Sequence, residues 1–347
     1  MRIDDAMSRM TLDEKIAIIH AQSKFSSAGV PRLGIPELWT TDGPHGIRPE
    51  VLWDEWVQAG WTNDFCVAFP ALTALAATWN TEMSALYGKS IGEEARYREK
   101  DVLLGPGVNI YRSPLGGRNF EYMGEDPYLA GQMVANYVVG MQGTGTMACL
   151  KHFVCNNTEF LRRISNSIVD ERAMMEIYTP AFKAGIDAGA GSVMTSYNLV
   201  NGEWAGESKY VITDLLRGTL GFKGLVMTDW RSVFDWKKIV LSGQNVEMPG
   251  DRNQPQHINS VQGLLASGEL TEKNIDDMIR PMIATCIRFG LYDRFKNGQP
   301  NEDHLAAKMP DHLKVSYQTA AEGTVLLKNN GILPLGEDRQ ILLIGRW

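Results

Sequence analysis

Asp229 closes the run Leu225-Val-Met-Thr-Asp229, so an ionisable group stands at the end of an apolar, β-rich stretch. A carboxylate placed there has to be paired or put to work, because an isolated buried charge is costly. It could act on a bound ligand, or it could cap a helix beginning near Ser232. Other polar groups recur in the same relation to short apolar runs: Asp42 after Glu37–Thr41, Asn109 after Val102–Leu104, and His152 within Met147–Phe153. Tyr197 ends Ser192–Tyr197 with Asn198 next to it, and Glu247 lies in Asn245–Met248. Lys151-His152 also reads as a surface pair, and Arg118 as a loop anchor through Glu121, Glu125 or Asp126.

Something must bring these strand ends together. The six runs are a few residues long and apolar on both faces, and helical patterns separate them, which implies a parallel sheet with helical crossovers. Thr11-Leu-Asp-Glu14 reads as a capping box. Leu72, Leu75, Trp79, Met83 and Leu86 form one helical stripe, and Asp170 through Met174, Ile177 and Ala181 another. With the polar residues on one rim, the expected fold is a (β/α)8 TIM-like barrel over residues 1–290. An open doubly wound sheet also gathers ligands at strand ends, but no Gly-rich nucleotide fingerprint is present. Two helices, Gln256–Ser267 and Thr271–Phe289, complete this region. Residues 291–311, with Pro300, Pro310 and Gly298, read as a linker. Residues 312–347 read as the start of a second α/β sandwich domain: a helix over His312–Lys328 and a first strand over Gln340–Gly345.

Composition bounds the partners. The 347 residues carry 41 acidic and 34 basic side chains, a net charge of −7, with no basic block. Nucleic acid and anionic membranes are therefore not expected partners. The uncharged stretch Phe65–Trp79 is interrupted by Pro70 and is too short for a membrane span, which needs about 20 apolar residues. The four cysteines lack metal-site spacing and are too few for a disulfide framework, so free thiols are expected. The opening Met-Arg-Ile-Asp-Asp has no apolar signal region; the chain as written reads as cytoplasmic, and as periplasmic or secreted if it has been trimmed.

Seven clusters in order resemble the N-terminal barrel of family-3 glycoside hydrolases, the β-glucosidases and their relatives. They are Trp39-Thr-Thr-Asp-Gly-Pro-His-Gly-Ile-Arg48, Gly105-Pro-Gly-Val-Asn-Ile110, Gly116-Gly-Arg-Asn-Phe-Glu-Tyr-Met-Gly-Glu-Asp-Pro127, Lys151-His-Phe-Val-Cys-Asn-Asn157, Met194-Thr-Ser-Tyr-Asn198, Gly221-Phe-Lys-Gly-Leu-Val-Met-Thr-Asp-Trp230 and Glu247-Met-Pro-Gly250. The resemblance implies a retaining exo-acting β-glycosidase in which Asp229 is the nucleophile that forms a glycosyl-aspartate. It implies that Asp42 accepts hydrogen bonds from the outer sugar hydroxyls, that Arg48, Arg118, Lys151 and His152 hold the others, and that Met194, Tyr197 and Trp230 line the pocket. Trp53, Trp56 and Trp61 are expected to form an aromatic wall for the leaving group. The substrate class is a β-linked oligosaccharide or glucoside, and the chemistry needs no metal or cofactor.

Two departures narrow the branch. Lys-His-Phe is followed by Val154-Cys-Asn-Asn and not by the Pro-Gly-His-Gly of the β-N-acetylhexosaminidases. Asp42 stands where β-xylosidases tend to carry glutamate, so glucose is expected. In most of the family the acid/base glutamate comes from a second domain, so it is expected outside this chain. The alternatives are a β-xylosidase or another family member, or a catalytically impaired glycan-binding barrel. Self-association, or association with the second domain, is expected to cover the strand at Gln340–Gly345.

Overall fold

The computed structural model describes residues 3–60, 66–249, 256–293, 302–337, 339–342 and 344. Trp61, Gly250, residues 294–301 of the expected linker, and Leu343 and Gly345 of the expected last strand lie outside them. The strands among the described residues are β1 (Ser26–Ser27), β2 (Leu38–Thr41), β3 (Val102–Leu103), β4 (Met147–Phe153), β5 (Asn166–Ser167), β6 (Ser192–Thr195), β7 (Leu199–Val200), β8 (Glu203–Trp204) and β9 (Leu225–Met227). Six of them form one curled sheet in the order β1-β2-β3-β4-β6-β9. The β1–β2 pair is antiparallel and every later pair parallel. A small sheet, β5-β7-β8, stands apart.

The reading of strands buried on both faces holds. All seven residues of β4 are buried, and alternate side chains enter two different apolar clusters. Met147 and Cys149 join Val102, Leu104, Met194, Leu225 and Met227. Ala148 and Leu150 join Leu103, Val193 and Val226 beneath the helices Thr81–Tyr97, Pro127–Gln142 and Pro180–Asp187. Because side chains alternate along a strand, Lys151 continues the face of Met147 and Cys149, and Asp229 that of Leu225 and Met227. Charge thus begins where the apolar core ends.

Eight regular strands are expected, but the regular ladder covers about half a barrel. Asn245–Met248 pairs only through single bridges, Met227 with Val246 and Glu247 with His20, and Ala21 bridges back to Ser27. A side chain accounts for part of this irregularity. Asn245 Oδ1 accepts the Val226 N–H at 2.7 Å and an Arg217 N–H at 2.8 Å, occupying positions a ladder partner would use.

The helices follow their local signals where caps are present. Thr11 and Glu14 form the expected reciprocal cap, at 2.8 and 3.3 Å. The stripe from Leu72 to Leu86 is two helices, Leu72–Ala77 and Thr81–Tyr97. Trp79 sits at φ 53° and is 77% exposed, and Asn80 caps the second helix through Met83 N–H at 3.0 Å. The segment after Asp170 breaks into Glu171–Ala173, a π-helical turn Met174–Tyr178 and Pro180–Asp187. Helices Thr81–Tyr97 and Pro127–Gln142 approach closely because glycines meet backbone: a Cβ on Gly140 would lie 2.0 Å from Ala85 O.

The expected linker is partly helical. A helix spans Glu302–Gly323 and continues through Pro310. Tertiary packing overrides the breaker, since Met309 and Val315 pack on the core and His312 is held between Glu93 and Glu94 at 2.9 Å each. Of the expected last strand, Gln340, Ile341, Leu342 and Ile344 are exposed and in no ladder. None of the described helices is long and apolar enough to cross a membrane.

Candidate active site

A cleft of about 510 Å3 opens at the ends of β2, β4, β6 and β9. Asp42, Arg48, Arg118, Lys151, His152, Met194, Tyr197, Asp229 and Trp230 all line it. Lys151 and His152 arrive at the end of β4, where Asn109 grips the His152 backbone, taking its N–H at 2.8 Å and donating to its carbonyl at 2.9 Å. Trp230 is pinned by its indole N–H to Lys24 O at 2.9 Å, and Tyr197 donates its hydroxyl to Trp230 O at 2.7 Å. The floor is therefore positioned from several separate strands.

Charge is balanced on the floor. Lys151 Nζ lies 3.2 Å from Asp42 Oδ1 and 3.5 Å from Glu121 Oε2, and Arg118 pairs with Glu121. Arg118 also lies 3.9 Å from Glu159, which binds Arg162 at 2.6 Å. Burial opposes the charged form of Lys151, yet Asp42 and Glu121 outweigh it and raise its pKa above the ordinary value. Burial likewise pushes Glu121 upward, but Lys151 and Arg118 hold it below the usual carboxylate range. Asp42 follows the same pattern: burial is offset by Lys151, the Gly43 N–H and Arg48, and its carboxyl is lowered.

Asp229 differs. Its Oδ1 accepts the Trp230 N–H at 2.7 Å, while Oδ2 is buried and makes no hydrogen bond. Burial raises this carboxyl to about 6, against the pull of Arg118, the Trp230 N–H, Lys151 and Arg162. His152 Nε2 stands 3.5 Å from Oδ2, and its Nδ1 meets the Tyr122 hydroxyl at 3.0 Å. Burial, then Arg118, Lys151 and Arg162, keep that imidazole well below its usual pKa, hence neutral. Asp229 is not a helix cap, because the next helix begins at Trp236 and is capped by Asp235. A carboxylate with one oxygen idle, facing a polar cleft, is equipped to attack carbon.

The sequence matches the glycosyl hydrolase family 3 N terminal domain over residues 12–284. The chain belongs to glycosyl hydrolase family 3. It is 44% identical over 365 residues to β-glucosidase BoGH3A of Bacteroides ovatus, covering 99% of this chain and 48% of that protein. It is 37% identical to the thermostable β-glucosidase B of Acetivibrio thermocellus, covering 99% of this chain and 44% of the relative. Among solved structures, β-glucosidase 3B of Thermotoga neapolitana in complex with glucose superposes with a TM-score of 0.85 at 34% identity, over 96% of this chain and 48% of that one. The chain spans about half the length of these relatives.

The nine residues expected to bind or attack the sugar come together in this family-3 cleft, whereas Asn109, Asn198 and Glu247, singled out on the same expected rim, do not line it. The expected tryptophan wall does not form. Trp56 lines the cleft, but Trp53 lines a neighbouring cavity of about 200 Å3 with Trp39, and Trp61 lies outside the described residues. The sequence reading also missed Phe25, Arg162, Arg163 and Arg231, which line the cleft. Arg162 and Arg163 follow the Lys-His-Phe segment by about ten residues in a polar loop, where charge reads as solvated surface. Their guanidinium groups lie 4.1 and 5.2 Å from the Tyr197 ring centre. An arginine pair downstream of a strand-end motif is the signal that could have found them.

Proposed function

We propose that this chain carries the glucosyl-binding pocket and the nucleophile of a retaining, exo-acting β-glucosidase built on a (β/α)8 barrel. The observation that carries the reading is Asp229: a buried carboxylate with an unengaged Oδ2, at the floor of a cleft lined by groups suited to sugar hydroxyls. Likeness to proteins named β-glucosidases, including one complexed with glucose, supports the substrate class.

In the first step Asp229 Oδ2 bonds to the anomeric carbon as the glycosidic C–O bond breaks, and the leaving oxygen departs with the electron pair and takes a proton from a general acid. Water then attacks the same carbon and gives its proton to the conjugate base of that acid. The C–Oδ2 bond breaks, the carboxylate is restored, and the two inversions give net retention. Lys151, Asp42, His152, Arg118 and Arg48 orient the hydroxyls, with Trp230, Tyr197 and Met194 against the ring.

The acid/base glutamate lies outside these residues on this reading. Glu121 is ion-paired and held below its ordinary range, so it does not offer a proton readily, and Glu159 is engaged by Arg118 and Arg162. We assign residues 1–290 to the catalytic barrel, 291–311 to the connection and 312–347 to the opening elements of a second α/β domain. Incubation with a 2-deoxy-2-fluoro-β-glucoside bearing an activated leaving group tests the reading, since this chemistry needs the nucleophile far more than the acid. Mass spectrometry should find the label on Asp229. A folded chain with no label would overturn it.

A further inference from the structure

We propose that the mouth of this cleft is a leaving-group site selective for flat, anionic aglycones, with Arg163 supplying the charge and Trp56 the flat face. The inference rests on the reading of the cleft floor as the glucosyl site.

Burial divides the cleft into two levels. Lys151, His152 and Asp229 are buried, whereas Trp56 and Arg163 are exposed although they line the same space. A sugar whose anomeric carbon reaches Asp229 must fill the floor, so its leaving group points toward the mouth and meets these two residues.

The mouth differs from the floor in charge. On the floor Lys151 has Asp42 and Glu121, and Arg118 has Glu121, while Arg48 lies over the Phe25 and Trp56 rings at 5.0 and 5.8 Å. In the loop above, Arg162 has Glu159 at 2.6 Å. Arg163, next to it in sequence, has no carboxylate partner among the described residues and lies over the Tyr197 ring instead. Two guanidinium groups therefore share one ring with a single carboxylate between them, which leaves a positive charge facing the cleft of a chain whose net charge is −7. Such a charge attracts an anion and discriminates weakly among neutral groups. Opposite in character is Trp56, 51% exposed and braced edge-on by Phe25 at 5.8 Å, which itself packs 5.3 Å from Trp230. An indole held in this way offers a stacking surface continuous with the sugar-binding wall.

The test compares two β-glucosides of one nitrophenol, one bearing a ring carboxylate and the other its methyl ester. The ratio of their kcat/KM values, carboxylate over ester, is measured in the wild type, in Arg163→Gln and in Arg163→Lys. The ratio should fall about 2–5-fold in Arg163→Gln, the range of an exposed ion pair, and stay near the wild-type value in Arg163→Lys. Added salt should shrink the difference. In Trp56→Ala the calorimetric affinities of both aryl glucosides should fall relative to that of methyl β-glucoside, while their mutual ratio holds. A ratio unchanged by Arg163→Gln overturns the charge assignment, and aryl preference unchanged by Trp56→Ala overturns the stacking assignment. Calorimetric affinities of the two aryl glucosides give the same ratios without turnover. Absence of hydrolysis with the expected affinity pattern would therefore count against the glucosidase reading alone.

Discussion

His152 Nε2 lies 3.5 Å from Asp229 Oδ2, and the imidazole is neutral. The cations around Asp229 are thus Arg118, Lys151 and Arg162, and together they do not overcome burial. The carboxyl titrates near 6, so the group proposed as nucleophile is partly protonated in mildly acidic solution.

The rate of inactivation by the activated fluoroglucoside should therefore rise with pH through about 6 and level off above it. Below that value Asp229 holds its proton and cannot attack. A rate flat from pH 4.5 to 7.5 would show that another group, or none, limits this step.

The same shift has a thermodynamic side. Asp229 has its folded pKa, about 6, above the ordinary aspartate value of 3.8, so the folded state keeps a proton that the unfolded chain releases. Its ionisation lowers stability as pH rises from about 4 to 6, by about 1–3 kcal/mol at pH 7. Asp229→Asn, which removes the charge and keeps the shape, should raise the unfolding midpoint at pH 7 and lose the labelling reaction. Near pH 4 the stability gain should vanish, and denaturant titrations at the two pH values check this.

Two groups of the floor were legible because they sit where an apolar run stops, and two-sided burial forces such a run to end at a rim, whereas Arg48 and Arg118 lie in loops and were reached only through the family resemblance. The two are Lys151 after Met147–Leu150 and Asp229 after Leu225–Met227. Phe25 was not legible, since it lies among polar neighbours in Gln22-Ser-Lys-Phe-Ser-Ser27 and owes its role to a ring contact with Trp230. Trp79 misled for the opposite reason: it continues a helical spacing, but its backbone turns left-handed there and its side chain faces solvent. Periodicity reports what a segment can bury and not where a backbone turns.

Packing of the outer helices depends on absent side chains. At Gly140 a methyl group would lie 2.0 Å from Ala85 O and 2.8 Å from its carbonyl carbon, both rigid backbone. Gly140→Ala should force the helices Thr81–Tyr97 and Pro127–Gln142 apart and cost about 1–3 kcal/mol, despite the better helix propensity of alanine. Gly263, in the helix Gln256–Ala266 and with open space around it, is the control. Gly263→Ala should be neutral or slightly stabilising in the same urea titration.

The helix Glu302–Gly323 is tied down by a titratable clamp. His312 donates to or accepts from Glu94 at Nδ1 and Glu93 at Nε2, both at 2.9 Å, and Lys308 lies 3.7 Å from Glu93. Burial disfavours the imidazolium, but the two carboxylates outweigh it and raise the pKa above 6.5. A group whose pKa is raised on folding stabilises fully below its unfolded value and loses that contribution as pH rises through its folded value. His312→Gln should therefore destabilise the chain by about 1–3 kcal/mol at pH 6, the scale of hydrogen bonds to charged groups, and by much less at pH 9. Unfolding midpoints of wild type and variant that differ equally at the two pH values would show that His312 contributes packing and not charge.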